Sequence, residues 1–299
     1  MIDIRYHVAT LVAIFLALGI GIIIGSTVVG SNVLADQQQK LIGQLETQFG
    51  DLRERMDTLN TENRFVGQIA RYYEQYSQAV SPPIIKNRLP GATIGLVVTG
   101  GQEIPAGLLW SLSQAGARVT STTTVLPAID LGNQELKIKM CDFYKVDHST
   151  PAEELRKLAA ATLAETLLKG GTEQARFLRD NDLVSFNGQY GSPIKAIIIV
   201  GGSDNDSYNY PSEVDESIIQ LLVNAKQKVY GCETTKVKYS YMNSLQKYDI
   251  STVDDIDMTP GQVALIRSIE GEVGDYGVKS SASKFMPSLP TEFLGGPAQ

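Results

Sequence analysis

The sequence is poor in the side chains that form metal sites and catalytic centres. Its 299 residues include only two cysteines, two histidines and one tryptophan. Cys141 and Cys232 are too few for a disulfide framework, and they fit either one bridge or two small buried side chains. No GxSxG or HExxH motif is present, and no nucleophile lies at a useful spacing from a base. We therefore predict that the protein is not an enzyme.

Positive charge is also scarce. The formal net charge is −7, and the isoelectric point is about 5.0. A nucleic-acid-binding protein shows a basic face, and a domain that lies flat on anionic lipid needs basic clusters. The composition therefore predicts no nucleic-acid partner.

Charge is absent altogether from one long stretch near the N-terminus. No charged side chain occurs between Arg5 and Asp36, and Val8 to Val29 is a nearly continuous apolar run. A bilayer core needs about 20 apolar helical residues, and a helix satisfies its own backbone hydrogen bonds in lipid. The sequence predicts a single-pass transmembrane anchor over residues 1–33, with the rest of the chain held at a membrane.

The alternative is a cleaved signal peptide, with Val33-Leu34-Ala35 as the cleavage site. We favour the uncleaved anchor because the apolar run exceeds the roughly 7–15 residues of a signal-peptide core. Arg5 precedes the run and Asp36 follows it. The positive-inside rule then places the N-terminus in the cytoplasm and the body outside it, at the cell membrane.

Two patterns predict that several copies associate. Small residues recur every fourth position in the anchor, and an apolar heptad runs from Ile42 through a predicted coiled-coil stalk over 34–80. A core Asn63 would fix register and strand number. The expected contact residues are Ala17, Gly21, Gly25, Leu45, Leu52, Leu59, Asn63 and Val66. The alternative is a lone amphipathic helix that packs on the following domain.

A predicted α/β domain over 92–275 follows a linker over 81–91. Ser81-Pro82-Pro83 is expected to end the stalk helix. Two short apolar segments, 92–99 and 194–200, are typical of strands buried on both faces of a parallel sheet. Helices follow them, which predicts a Rossmann-like, mostly parallel sheet with two similar halves as one interpretation.

Two further local features belong to this domain. A helix is expected over 151–169, capped by Ser149-Thr150. The chain from Gly271 is rich in Gly, Ser and Pro, which predicts a loop and then a flexible tail over 276–299.

Candidate ligand sites are sparse. Gly100-Gly101 and Gly201-Gly202 follow the two buried strands, where α/β folds bind phosphates, but neither pair extends to a nucleotide motif. Tight turns are the favoured interpretation, and a nucleotide- or sugar-binding enzyme rests on fold analogy alone. Copper prefers Cys, Met and imidazole ligands. The candidates for a copper site are Met140, Cys141, His148 and Cys232.

Three stretches resemble one known family. Asp3-Ile4-Arg5-Tyr6-His7, running into the apolar segment through Gly21, is similar to the opening of the copper transporter family named for mycobacterial copper transport protein B. Val253-Asp254-Asp255-Ile256-Asp257 with Pro260-Gly261-Gln262 resembles a second signature of that family, and Gly274-Asp275-Tyr276-Gly277-Val278 a third.

The resemblance implies a bacterial envelope protein with one membrane segment, a stalk and an α/β body, acting in copper efflux or tolerance. It brings no set of copper ligands. A structural or scaffolding role among other envelope proteins, without metal chemistry, is the alternative.

Overall fold

The structure, a computed structural model, describes residues 4–29 and 33–289. The chain divides into two compact units, Met1–Ala70 and Arg71–Gln299. Helix α1 (Ile4–Val29) and most of helix α2 (Val33–Ile85) lie in the first unit. Among the described residues, one helical segment, Ile4–Thr27, is long and apolar enough to cross a membrane.

Helix α2 continues past the two prolines that were expected to end it. Pro82 and Pro83 lie inside its last turn, and the helix ends at Ile85. Proline removes one backbone donor but leaves its carbonyl available, and the amide of Lys86 donates to the Pro82 carbonyl at 3.0 Å. The prediction that Ser81-Pro82-Pro83 ends the helix is therefore wrong by two residues, because prolines in a final turn interrupt few helical hydrogen bonds.

The second unit is built on one seven-stranded sheet with the order β3-β2-β1-β4-β5-β6-β7. Its strands are β1 (Thr93–Val98), β2 (Arg118–Val125), β3 (Val184–Gly188), β4 (Ala196–Gly201), β5 (Val229–Glu233), β6 (Ser251–Val253) and β7 (Asp275–Tyr276). Only the pairing of β3 with β2 is antiparallel among these strands. Both predicted strand–helix–strand units belong to this sheet, which confirms the mixed α/β fold with a mostly parallel sheet.

Helices cover both faces of the sheet. They are α3 (Leu108–Gln114), α4 (Gln134–Tyr144), α5 (Ala152–Lys169), α6 (Glu173–Asp180), α7 (Glu216–Asn224), α8 (Met242–Leu245) and α9 (Thr259–Glu270). Ile197 and Ile199 of β4 face one core cluster, and Ile198 and Val200 face the other. The first cluster packs against α4, α5 and α7, and the second against α3 and α9. Coverage of both faces explains the uninterrupted apolar strands.

Two local predictions are wrong. The cap of α5 is Pro151, which makes no side-chain cap bond. The amides of Ser149 and Thr150 instead bond to the side chain and backbone of Asp147, in a turn that precedes the helix. The expected loop after Gly271 contains β7, which pairs with β6 and buries Tyr276.

Candidate functional site

The usual ligand crevice of this fold is filled by the protein's own residues. The chain runs from β1 to β2 on one side of β1 and places β4 on the other, so the switch point lies between the carboxyl ends of β1 and β4. A Cβ at Gly100 would collide with the Gly202 carbonyl and lie 3.1 Å from the Tyr241 hydroxyl oxygen. Gly100 and Gly202 both have positive φ angles. Gly100 and Gly101 form the predicted turn after β1, whereas Gly201 is the last residue of β4.

Buried hydrogen bonds hold this filled crevice together. The Thr99 hydroxyl donates to Oδ1 of Asp215 at 2.6 Å, and the Tyr241 hydroxyl donates to the Tyr208 carbonyl at 3.0 Å. Burial raises the pKa of Asp215 to about 7, against the opposing effect of the Thr99 hydrogen bond. Burial and the neighbouring Asp215 charge also raise the pKa of Tyr241. This crevice is therefore part of the core.

Acidic residues gather at the carboxyl ends of the next strands. Glu233, at the end of β5, is fully buried. Its Oε1 accepts a bond from Nζ of Lys279 at 2.7 Å and from the Ser240 hydroxyl at 2.6 Å. Its Oε2 accepts from the Tyr241 amide at 2.9 Å. Glu233 is thus fully paired and has a structural role.

Asp254 joins two of the stretches that carry the family resemblance. It follows β6, and its Oδ1 accepts the backbone amide of Val278 at 2.7 Å. The Ser281 hydroxyl donates to its Oδ2 at 3.2 Å. A Cβ at Gly277 would collide with this carboxylate, so the glycine is needed for the close approach.

Asp255, the next residue, is buried with no partner. It is fully inaccessible to solvent, and neither carboxylate oxygen has a hydrogen bond. A Cβ at Gly261, in the first turn of α9, would collide with its backbone carbonyl. Burial, together with the charges of Asp254 and Asp257, raises the pKa of Asp255 to about 7. An unpartnered buried carboxyl of this kind is unusual and points to function.

The end of helix α2 caps helix α9. Met258, the N-cap residue of α9, makes no side-chain cap bond. Oε1 of Glu74 instead accepts the Thr259 hydroxyl at 2.6 Å and its amide at 3.2 Å. A carboxylate at a helix N-terminus satisfies free amides and favours the helix dipole. Beside it, Asp257 accepts the amide and hydroxyl of Thr235 at 2.7 and 2.8 Å.

A cavity of about 510 Å³ lies among these residues. It is lined by Glu74, Gln78, Ser81, Ala106, Gly107, Trp110, Asp257, Thr259 and Gln262, and none of these is Lys, Arg or His. The Gln262 amide nitrogen donates to the Ala106 carbonyl at 3.0 Å, and its oxygen accepts the Ser111 hydroxyl at 2.6 Å. We call this the Glu74–Asp257 cavity. It is the candidate ligand site of the body.

The structure does not bring the four predicted copper ligands together. Met140 and Cys141 are buried in the core on one face of the sheet, and Cys232 is buried on the other face. His148 is exposed, with Nε2 2.6 Å from Oδ1 of Asp142. Burial and the charges of Asp255 and Glu233 raise the pKa of Cys232, which favours a neutral thiol. Copper binding by a subset of these residues stays a prediction.

Across the described ranges 4–29 and 33–289, no three His, Cys, Asp or Glu side chains converge as metal ligands. Both cysteines are free thiols. Because they lie on opposite faces of one sheet, the structure does not pair them in a bridge.

The predicted helix-contact residues all lie exposed along α1 and α2. These are Ala17, Gly21, Gly25, Leu45, Leu52, Leu59, Asn63 and Val66. Nothing lies within 4 Å of a Cβ placed on Gly21 or Gly25. Their positions leave them accessible to a second copy, and the association itself stays a prediction.

Sequence reasoning missed the cavity residues Glu74, Trp110, Asp257 and Gln262, as well as the unpartnered Asp255. One signal was available: consecutive acidic residues that directly follow a buried strand stand at the sheet edge where α/β folds bind ligands. Glu74 gave no signal, because only the fold brings it to α9.

Comparisons with known proteins identify the family. The sequence model described as "Copper transport outer membrane protein, MctB" matches residues 1–287. Proteins called "Copper transporter MctB" from Mycobacterium bovis and Mycobacterium tuberculosis are 22% identical over 316 residues, covering 94% of this chain and 98% of theirs. The family match spans all three stretches that carry the resemblance. The chain therefore belongs to the MctB family of copper transport outer membrane proteins.

Proposed function

We propose that this chain is a membrane-anchored, homo-oligomeric envelope protein that takes part in copper efflux or tolerance. The family match over residues 1–287 carries the proposal, because it covers the apolar helix and nearly all of the body. The match also covers 98% of the length of a relative that is named as a copper transporter. The proposed role is transport or tolerance, and no catalytic step is assigned.

The apolar helix supports the membrane anchor. Segment Ile4–Thr27 has the length and composition of a membrane span, and its described side chains are not covered by other parts of the chain. Arg5 before the span and Asp36 after it support an extracytoplasmic body.

Exposed leucines support the homo-oligomer. Leu45, Leu52 and Leu59 of α2 are each more than half exposed, at the seven-residue spacing of a coiled-coil core. An apolar stripe of this kind on an isolated helix is unfavourable in water and typical of an interaction surface. A second copy of the same helix provides the matching stripe.

Gene deletion with complementation tests the proposal. We expect the deletion strain to become more sensitive to copper and to accumulate more of it. The full-length gene should reverse both changes, whereas a Leu52→Asp, Leu59→Asp variant should not. The matched control is Thr58→Asp, Thr61→Asp, which places the same charges on α2 outside the apolar stripe. Unchanged copper sensitivity and copper content in the deletion strain would overturn the proposal.

A scaffolding role is the second candidate. The lack of converging metal ligands in the described part of the chain favours it. A Cu(I) competition titration of the full chain in detergent separates the two roles. Stoichiometric binding that is lost in Cys141→Ser and His148→Ala variants would support direct handling of copper. A folded oligomer that binds no Cu(I) would favour the scaffold.

A further inference from the structure

The Glu74–Asp257 cavity carries an excess of negative charge. Carboxylates of Glu74 and Asp257 line it, and among the described residues each accepts hydrogen bonds only from neutral groups. Neither forms an ion pair with a described Lys, Arg or His. A ligand that enters this cavity therefore meets two carboxylates and no competing cation on the lining.

Asp255 does not line the cavity, but it lies two residues before Asp257, which does. It belongs to the same loop as Asp257, is fully buried, and has no hydrogen-bond partner on either carboxylate oxygen. The charges of Asp254, Asp257 and Glu74 all disfavour its ionised form. A cation bound at Asp257 would reduce the repulsion between Asp257 and Asp255.

The size and lining of the cavity favour an organic cation over a metal ion. A volume of about 510 Å³ lies within the range of roughly 300–1,000 Å³ that is typical of small-molecule sites. No three metal-ligating side chains converge anywhere in the described ranges. Trp110 contributes an indole to the lining and is 49% exposed. Tryptophan is the aromatic side chain that attracts ammonium and guanidinium groups most strongly.

We propose that the Glu74–Asp257 cavity binds an organic cation, an ammonium or guanidinium group contacted by Glu74 and Asp257, whose aliphatic stem packs against Trp110. Gln78, whose amide nitrogen donates to Glu74, offers its amide oxygen for a further hydrogen bond. The cation belongs either to a free small molecule or to the side chain of a protein partner. This site is separate from the proposed role in copper handling.

The single tryptophan makes the proposal directly measurable. Trp110 is the only tryptophan of the chain, so the tryptophan emission of the full-length protein in non-ionic detergent reports on this cavity. The first probe is butylguanidine, and its neutral counterpart is butylurea. We expect a saturable change in emission with butylguanidine and none with butylurea at the same concentrations. Equal responses to both compounds, or no saturable response by the folded protein, would overturn the proposal.

Three variants locate the binding. Asp257→Asn and Glu74→Gln should each weaken butylguanidine binding about tenfold, because each removes one charged partner. Glu103→Gln removes an exposed charge from the loop after β1 without touching the cavity lining, and should leave binding unchanged. If Glu74→Gln disrupts the contact between α2 and α9, the Asp257→Asn variant alone tests whether the cavity binds the cation. Equal binding by Asp257→Asn and the parent protein would overturn the proposal.

A peptide probe distinguishes the two sources of the cation. An acetylated and amidated Gly-Arg-Gly peptide carries the same guanidinium on a peptide backbone. Tighter binding of the peptide than of butylguanidine would support a protein partner. Tighter binding of butylguanidine would support a free small molecule. If neither butylguanidine nor the peptide binds to the folded protein, the proposed cation site is wrong.

Discussion

Oε1 of Glu74 lies 2.6 Å from the hydroxyl oxygen of Thr259, although 185 positions separate the two residues in the sequence. The contact joins the end of α2 to the N-terminus of α9, which has no cap from its own N-cap side chain. The Thr259 amide donates to the same carboxylate. The last turns of α2 therefore contact α9 through a charged hydrogen bond as well as through the apolar contacts of Ile84 and Ile85.

Loss of this carboxylate should weaken the body. We expect Glu74→Ala to lower the free energy of unfolding by about 1–3 kcal/mol, because a charged partner of a helix N-terminus is removed. Urea unfolding of the full chain, followed by Trp110 emission, measures the effect. Exposed Glu62 on the same helix is the control, and Glu62→Ala should change stability by less than about 0.5 kcal/mol. Similar losses in both variants would contradict a specific capping role.

Two glycines with similar φ angles allow the cost of a steric collision to be distinguished from the cost of backbone strain when each is replaced by alanine. Gly277 has φ +138° and would place a Cβ against the Asp254 carboxylate, whereas Gly271 has φ +144° and nothing within 4 Å of a Cβ. Gly271→Ala should therefore cost about 1–3 kcal/mol from strain alone. Gly277→Ala should cost about 1–3 kcal/mol more through overpacking. Thermal unfolding of both variants checks the difference, and equal shifts in midpoint would contradict the close packing of Gly277 on Asp254.

The contribution of Asp255 to the stability of the body should fall as the pH rises from about 4 to 7. The pKa of Asp255 is raised from 3.8 to about 7 in the folded chain, chiefly by burial. Between these values the folded state keeps a proton that the unfolded state releases, so the free energy of unfolding decreases with pH. Above pH 7 both states are ionised, and this contribution is constant.

Asp255→Asn should flatten this pH dependence, since the amide does not titrate. The change in slope is expected to be at most about 1.4 kcal/mol per pH unit. Asp215, whose pKa burial also raises to about 7, should contribute a second such slope that Asp215→Asn removes. Denaturant unfolding at pH 4, 5.5, 7 and 8 measures both, with exposed Asp51→Asn as the control. An unchanged slope in the double variant Asp215→Asn, Asp255→Asn would contradict the raised pKa values.

Asn63 tests the proposed stalk. Its replacement by Leu should stabilise the oligomer and can change the number of chains, because a polar core residue sets register and strand number at a cost in stability. Sedimentation and thermal melting of the full chain in detergent measure both effects. Thr61 lies two residues earlier, outside the apolar stripe, so Thr61→Leu is the matched control. Unchanged sedimentation and melting for Asn63→Leu would remove Asn63 from the interface.

The sequence allowed the parts of the fold that rest on local patterns to be predicted. Ile197 to Val200 are apolar without interruption because both faces of β4 are covered, and that run alone indicates a central parallel strand. Pro260 at the start of α9 is a similar local signal. Strand β7 shows no such local signal. It has two residues, which pair with β6, and the segment after it is held by a hydrogen bond to Asp254.

The candidate site was less accessible to such reasoning. Its carboxylates come from the end of α2 and from the loop before α9, and only the folded chain brings Glu74 to Thr259. The indole of Trp110 lies in α3, on a short helix whose sequence shows only an apolar face. Cys141 and Cys232 were predicted as copper ligands from their chemical type alone, yet they lie on opposite faces of the sheet.

The contact between Glu74 and Thr259 also sets an order of events during synthesis. Thr259 leaves the ribosome 185 residues after Glu74, which at about 5–20 residues per second is a delay of roughly 10–40 s. During that interval the nascent stalk helix has no α9 to bind, and Tyr73, Tyr76 and Ile84, which line an apolar pocket with residues of α9 in the finished body, face the surroundings. Helix α9 (Thr259–Glu270) therefore completes this part of the body late in synthesis. A chain truncated before α9 would leave this surface uncovered, and such exposed apolar surface favours aggregation and chaperone binding.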